Sequence, residues 1–260
     1  MTDFMDFFSK NAEWYSRSTS HRSGKDLEFL LENMNILGES VALDLATGTG
    51  FTAFEIARRA RKVFAFDGND RMLEEARAMA QKLGLKNIEF MRGDVETLQF
   101  KENMFDIVTC RRAAHHFKNK GRFLSEASRV MKMGGRFGLV DFVRPENDNA
   151  DVLNRIEIIR DPSHVGAIKA SIWKKLAEEN GFTISNSVMI ERMISFTEWL
   201  EPVSDDSKEA SEIRNLLLSE NRDDLENAYF NIEEMKLKKD YLIMICTKTE
   251  DCTYKGKGIN

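Results

Sequence analysis

The sequence predicts a doubly wound α/β fold: a mainly parallel, seven-stranded sheet with helices on both faces and an antiparallel last strand. Three observations predict it. Short apolar runs alternate with longer stretches of helical periodicity, the pattern of strand–helix–strand crossovers. The first of these runs enters a glycine-rich turn, Asp44 to Gly50, with a helical pattern behind it. The runs are apolar throughout instead of alternating, as strands covered on both faces are.

In chain order, Phe4, Phe7, Phe8 and Tyr15 recur at helical spacing over residues 4–16, and Leu27, Leu30 and Leu31 share a face of a helix from Lys25 to Met34. Val41–Leu45 is the first strand and Phe51–Ala60 the helix after its turn. Lys62–Phe66 is a strand ending at Asp67, Asp70–Leu83 a helix, and Asn87–Met91 the third strand. Phe105–Cys110 follows as a strand and Lys120–Met131 as a helix; Gly134–Gly135 turns into the strand Arg136–Phe142. Beyond Pro145 the rhythm breaks. Asp148–Ile159 and Ser171–Asn180 read as helices, Arg160–His164 as a turn, and Gly181 as a helix stop. Phe182–Phe196 offers strand material, Asp205–Phe230 one or two polar helices, and Tyr241–Lys248 the final strand. The organisation expected is a single domain in four stretches: N-terminal helices over the site (1–34), a ligand-binding core (35–145), an insertion or substrate cap (146–204), and late helices with the last strand (205–260).

Composition excludes several classes. A hydrophobic content of 42% in 260 residues is enough for a buried core. A formal net charge of -5 argues against a protein built to grip a phosphate backbone. The basic runs Arg58–Lys62 and Lys236–Lys239 are simplest as solvated faces. Cys110, Cys246 and Cys252 form no C-x-x-C pair, which fits reduced thiols in a cytoplasmic protein. The acidic N-terminus does not look like a signal peptide, and Leu242–Cys246 is far too short to span a membrane. The four histidines show no metal-ligand spacing and the methionines are scattered, so no metal is expected.

The turn Asp44-Leu45-Ala46-Thr47-Gly48-Thr49-Gly50 lets a ligand approach the main chain, and the helix behind it offers unpaired N–H groups. Gly48-x-Gly50-x-x-Ala53 also satisfies the dinucleotide pattern, and Asp67 lies near its acidic position. A nicotinamide-dependent oxidoreductase is therefore one reading. Asp44 weighs against it, because a carboxylate there suits an amino group better than a pyrophosphate. Asp94, after the third strand, completes a row of acids at three strand ends. A cationic amino acid joined to a nucleoside offers each of them a partner.

These segments resemble the Rossmann-like, class I S-adenosylmethionine-dependent methyltransferases. Val41–Gly50 is similar to motif I, Val63–Asp67 with Met72-Leu73-Glu74 to motif II and its helix, and Gly93–Glu96 to the adenine-contacting segment. Phe105–Cys110 and Val130–Arg136 resemble the fourth strand and the turn after the next helix. The likeness spans about residues 35–145 and looks nearest to the ubiquinone/menaquinone-type small-molecule enzymes (type 11 group). Some members of that group carry A-A-H-H-F and R-D-P-S-H-V, here Ala113–Phe117 and Arg160–Val165. Ala46 departs from the usual first glycine of G-x-G-x-G, but is small enough to keep the turn.

The resemblance implies S-adenosyl-L-methionine as cofactor. Asp44 and Arg111 would lie near its amino-acid end, with Ala46, Gly48, Thr49 and Gly50 packed under it. Asp67 would take both ribose hydroxyls, Gly68 and Met72 would flank ribose and adenine, and Asp94 and Val95 would hold adenine. Because the cofactor brings an activated methyl group, the protein must mainly align the acceptor, and a base is needed only if the acceptor must lose a proton. His116 and His115, on the rim after the fourth strand, are candidates for that role, with His116 slightly ahead, and His164 is a third. Arg160 would hold an acidic or phosphate-bearing acceptor, while Tyr15 and His21 would close the pocket from the N-terminus and reach the substrate. The acceptor expected is a small molecule: quinone-like, phenolic or lipid-derived. A non-catalytic S-adenosylmethionine-binding protein is the reading from another class. The acidic balance and the lack of an N-P-P-Y-type motif lower an RNA or protein methyltransferase.

Overall fold

A strand apolar on both sides is stable only between two layers, and Val41–Leu45 (β1) occupies such a position. In the computed structural model, which describes residues 8–13 and 24–250, β1 pairs in parallel with Lys62–Asp67 (β2) on one side and Phe105–Arg111 (β4) on the other. Ile88–Arg92 (β3) extends the β2 side, and Met131–Phe142 (β5) the β4 side. Tyr241–Lys248 (β10) inserts antiparallel between β5 and Phe182–Ile190 (β6). The sheet order is thus β3-β2-β1-β4-β5-β10-β6, and chain order reverses between β1 and β4. A reversal of that kind opens a crevice at the strands' carboxyl ends.

Side chains leave β1 alternately to the two layers. Leu43 and Leu45 join Phe66, Val108 and Phe137 against Phe123 of helix Lys120–Val130 (α4) and Trp173 of Ala170–Glu179 (α6). Ala42 joins Val63 and Ile107 against Leu27 and Leu30 of Lys25–Asn33 (α1) and Ile56 of Phe51–Ala57 (α2). Burying each of the larger side chains is worth about 1.5–3 kcal/mol. Asp70–Lys82 (α3) is capped by Asn69, whose side chain accepts the N–H groups of Arg71 and Met72. Residues 8–13 are helical, and Ser9 Oγ accepts from Asn69 Nδ2 at 3.2 Å, placing that segment over the start of α3.

A separate apolar cluster packs together much of the chain after β5, called the cap below for its position over the carboxyl ends of the strands. It joins Val152–Arg160 (α5), Phe196–Leu200 (α7), Lys208–Ser219 (α8) and Arg222–Asn227 (α9) to a small antiparallel sheet of Met193–Ser195 (β7), Lys236–Lys238 (β9) and Phe230–Asn231 (β8). Phe142, at the end of β5, belongs to this cluster and ties the cap to the main sheet.

Three differences from the sequence reading have local causes. The Gly134–Gly135 turn lies inside β5, not before it: the pairing slips between Phe105–Met131 and Ile107–Arg136, with Gly134 at φ 75°. The helix expected from Asp148 starts at Val152, because the buried Asp148 carboxylate accepts the N–H groups of Val152 and Leu153 from outside it. The strand material of Phe182–Phe196 is divided between the two sheets, and β8 and β9 are too short to show an alternating pattern. No helix among the described residues is long and apolar enough to cross a membrane.

Candidate active site

The carboxyl ends of β1, β2, β4 and β5 open into one cavity of about 1000 Å³. One half is walled by the β1 turn and the loops after β2 and β3. The other lies under α5, α7 and the segment before β10.

In the first half, Asp44 is buried within the end of β1 and accepts the hydroxyls of Thr47 at 2.7 Å and Thr109 at 2.6 Å. Burial pushes its carboxyl up to about 6, against the pull of both hydroxyls and of Arg111. Asp67 accepts the N–H groups of Gly48 and Asn69, each at 2.8 Å, and burial raises its carboxyl as well. These bonds lock the β1 turn to the end of β2. Gly48 has φ 55°, and a Cβ there would meet nothing within 4 Å, so its main chain is bare toward the cavity. Ala46 takes the same left-handed backbone, φ 51°, where glycine carries no strain. Thr49, Gly68, Met72, the exposed Asp94 and the buried Val95 also line this half.

Gly50 does not line the cavity. It has φ 92°, and a Cβ would run into the Phe54 ring at 2.5 Å, so it serves the packing of α2. Arg111 does line it, and its Nε donates to the buried Asp26 at 2.8 Å. Arg112 Nε donates to the same oxygen at 3.0 Å. Burial opposes the charge of Asp26, yet the two guanidiniums hold its carboxyl below the ordinary aspartate value.

In the second half, His115 and His116 lie on a 3-10 turn, Ala114–His116, just beyond β4. His115 Nδ1 is 2.7 Å from Oδ1 of the fully buried Asp141. His116 Nδ1 is 3.1 Å from both the carbonyl and the hydroxyl oxygen of Ser163, and Phe8 packs edge-on against its ring at 5.0 Å. His164 sits behind the wall, its Nε2 2.9 Å from Asn154 Oδ1 and its ring stacked on Phe142; burial drives its imidazole down to about 2. Arg160 lines the cavity, but its Nε and Nη2 donate to Glu157 at 3.0 and 2.6 Å. Glu157, fully buried, also accepts from Lys239 at 2.6 Å and Trp199 at 3.0 Å. Burial opposes its charge, and Arg160 and Lys239 overcome that, holding the carboxyl well below the ordinary glutamate value. Three cations rest on aromatic faces here: Lys239 over Phe142 at 3.9 Å, Arg112 over Tyr241 at 4.8 Å and Arg160 over Trp199 at 5.4 Å. Tyr15 and His21 fall outside the described residues.

Sequence reasoning missed Asp141, Asp26, Glu157 and Lys239. Asp141 was detectable: it is an acid near the end of an apolar strand, the signal that singled out Asp44. The other three carry no local mark.

The sequence profile of the methyltransferase domain family matches residues 37–187. The chain is 34% identical over 195 residues to the methyltransferase YcgJ of Bacillus subtilis (strain 168), a match covering 75% of this chain and 77% of that one. It belongs to this methyltransferase family. The structure of BH2331 from Bacillus halodurans C-125 superposes with a TM-score of 0.81 at 35% identity, over 87% of this chain and all of that one. UbiE of Brucella canis, a ubiquinone/menaquinone biosynthesis C-methyltransferase, is 39% identical over 109 residues, 40% of each chain. The protein is an S-adenosylmethionine-dependent methyltransferase, and the nicotinamide reading falls. Its donor set agrees: Asp44 suits an ammonium, Asp67 a pair of hydroxyls, and the bare main chain at Gly48 a closely packed ligand.

Proposed function

We propose that this methyltransferase modifies a small planar acceptor, phenolic or quinone-like, held in the second half of the cavity and acting in the cytoplasm. The observation that carries this reading is the continuity of the two halves: the acid-lined half opens directly into a half walled by Phe142, Tyr241 and Trp199. Flat aromatic walls favour a flat acceptor. Arg160 is engaged by Glu157, which weakens the case for an acceptor held mainly by an anionic group on that arginine. The UbiE relative, by its name an enzyme of quinone biosynthesis, supports the same class.

In this reading Asp44 takes the ammonium of the cofactor and Arg111 lies beside its amino-acid end. Ala46, Gly48 and Thr49 pack under it. Asp67, Gly68, Met72, Asp94 and Val95 hold the nucleoside, and Gly50 supports the turn from behind. When bound, S-adenosylmethionine supplies an activated methyl group on sulfur. Residues 146–204, with the small sheet, serve as the acceptor cap, and residues 8–13 help to exclude water above His116. Calorimetry with S-adenosylhomocysteine and with NAD tests the first half; binding of the former and not the latter is expected. Methyl transfer to a panel of phenols and hydroquinones tests the second. Label found only on RNA or protein substrates would overturn the acceptor class.

A further inference from the structure

His115 is held at every point but one. Its backbone N–H donates to Asp141 Oδ2 at 2.7 Å, its Nδ1 lies 2.7 Å from Oδ1, and the N–H groups of Val165 and Gly166 donate to its carbonyl at 3.1 and 2.9 Å. The rings of His116 and Phe142 flank it at 4.0 and 4.5 Å. Asp141 also accepts the Phe142 N–H at 2.9 Å, so its orientation is fixed in turn. With Asp141 ionised, only a proton on Nδ1 can fill the 2.7 Å contact. That leaves the Nε2 lone pair, which meets no partner among the described residues, on a side chain lining the acceptor half of the cavity.

We propose that His115, oriented by Asp141, is the general base that removes a hydroxyl proton from the acceptor, so that the acceptor class is an ionisable phenol or enol and not an amine. The inference rests on the methyltransferase reading of the cavity with a planar acceptor. The neighbouring histidines are held differently. His164 is off the cavity wall, and its Nε2 must donate to Asn154 Oδ1, which already accepts from the Ala167 N–H. His116 also lines the cavity, but its Nδ1 faces the Ser163 carbonyl and hydroxyl oxygens where His115 has a carboxylate.

The acceptor O–H bond breaks, its proton passes to Nε2, and the electron pair stays on the acceptor. From that oxygen, or from the conjugated ring carbon it feeds, the new bond to the methyl carbon forms as the carbon–sulfur bond breaks with its pair kept by sulfur. Asp141 stabilises the imidazolium formed, which then returns its proton to water. The charged and titratable groups around the pair are His116, Lys120 of α4, Glu157 of α5, His164 and Lys239. Burial, with His116 and Lys239, holds His115 well below the ordinary imidazole value, so its ring rests neutral before the acceptor binds; burial also pushes Asp141 up to about 6. Below that pH a proton on the pair blocks the base.

The test uses the full chain loaded with S-adenosylhomocysteine and 4-nitrophenol, whose colour reports ionisation, beside turnover on matched phenols and anilines. Wild-type protein is expected to bind nitrophenol as the phenolate at a pH where the free probe is protonated; His115→Gln is expected to bind it as the phenol. On phenols, kcat is expected to fall by about 10²–10⁴-fold in His115→Gln, with KM and homocysteine-nucleoside affinity little changed. Asp141→Asn should fall less, and its acid limb near pH 6 should be displaced. Nitrogen-15 spectra of the wild type should show His115 protonated at Nδ1, a readout that needs no variant to fold. An Nε2-protonated His115, unchanged kcat in His115→Gln, or methylation of anilines in place of phenols would overturn the base. Transfer to neither class would instead overturn the planar-acceptor reading on which it stands.

Discussion

Asp44 in the cavity wall and Glu157 behind Arg160, Trp199 and Lys239 of that wall are both fully buried carboxylates, yet their protons are held in opposite ways. Among the described residues Asp44 meets the hydroxyls of Thr47 and Thr109, with Arg111 acting from a distance, and burial pushes it up to about 6. Glu157 touches Lys239 and Arg160, and they hold it well down. Burial penalises a charge unless a counter-charge lies beside it. Glu157 has its counter-charges within the fold and secures the cap. Among the described residues Asp44 has no cation in hydrogen-bond contact, and the reading proposed above gives that place to the cofactor's ammonium.

The largest effect expected is on the cap. Glu157→Gln leaves Lys239 and Arg160 without their anion, which costs about 3 kcal/mol. In thermal unfolding this would lower Tm by roughly 10 °C. Asp44→Asn should break the comparison in the other direction. Its unliganded melting temperature is expected to hold or rise, since a poorly matched buried charge is removed. Its affinity for S-adenosylhomocysteine should drop by about 10–100-fold, the worth of one charge-assisted hydrogen bond. Calorimetry beside a melting curve separates the two residues.

The pH dependence sharpens the same contrast. Glu157 is depressed in the folded state, so its stabilisation is full above the ordinary value of 4.5 and is lost as pH falls toward the folded value. Asp44 is raised, so the folded protein binds more protons than the unfolded one between 3.8 and about 6. Its contribution to unliganded stability therefore falls as pH rises across that window. S-adenosylhomocysteine affinity should weaken below about pH 6, by up to about tenfold per unit, because Asp44 must release a proton to pair with the ammonium. Titration calorimetry in buffers of different ionisation enthalpy would detect the proton. The smallest change expected is at Ala46. Ala46→Gly relieves a left-handed alanine at φ 51° and should stabilise by about 0.5–1 kcal/mol after the entropy cost of glycine in the unfolded chain. An equilibrium denaturation midpoint checks it.

Legibility in the sequence followed distance along the chain. Tyr241–Lys248 matches β10 end to end, because a continuous apolar strand needs only its own residues to be recognised. The row Asp44, Asp67 and Asp94 was equally plain, each being a carboxylate where an apolar run stops or turns. The reading of the histidines was coarser. Both histidines follow β4 in the chain, and only the fold sets His115 Nδ1 against the Asp141 carboxylate and His116 Nδ1 against Ser163. Arg160 lines the cavity and also grips Glu157, a pairing that the chain's local pattern does not show.

By itself the sequence determined the order of strands and helices, the glycine turn and the acids at the strand ends. Each is a matter of periodicity or of neighbours a few residues apart. Only the tertiary structure decided which histidine has a carboxylate behind it and which cation is already neutralised. His115 and Asp141 stand 26 positions apart, and Glu157 and Lys239 stand 82 apart. Pairs so distant meet only when the sheet aligns β4 with β5 and the cap folds back over them, and no local pattern records that meeting.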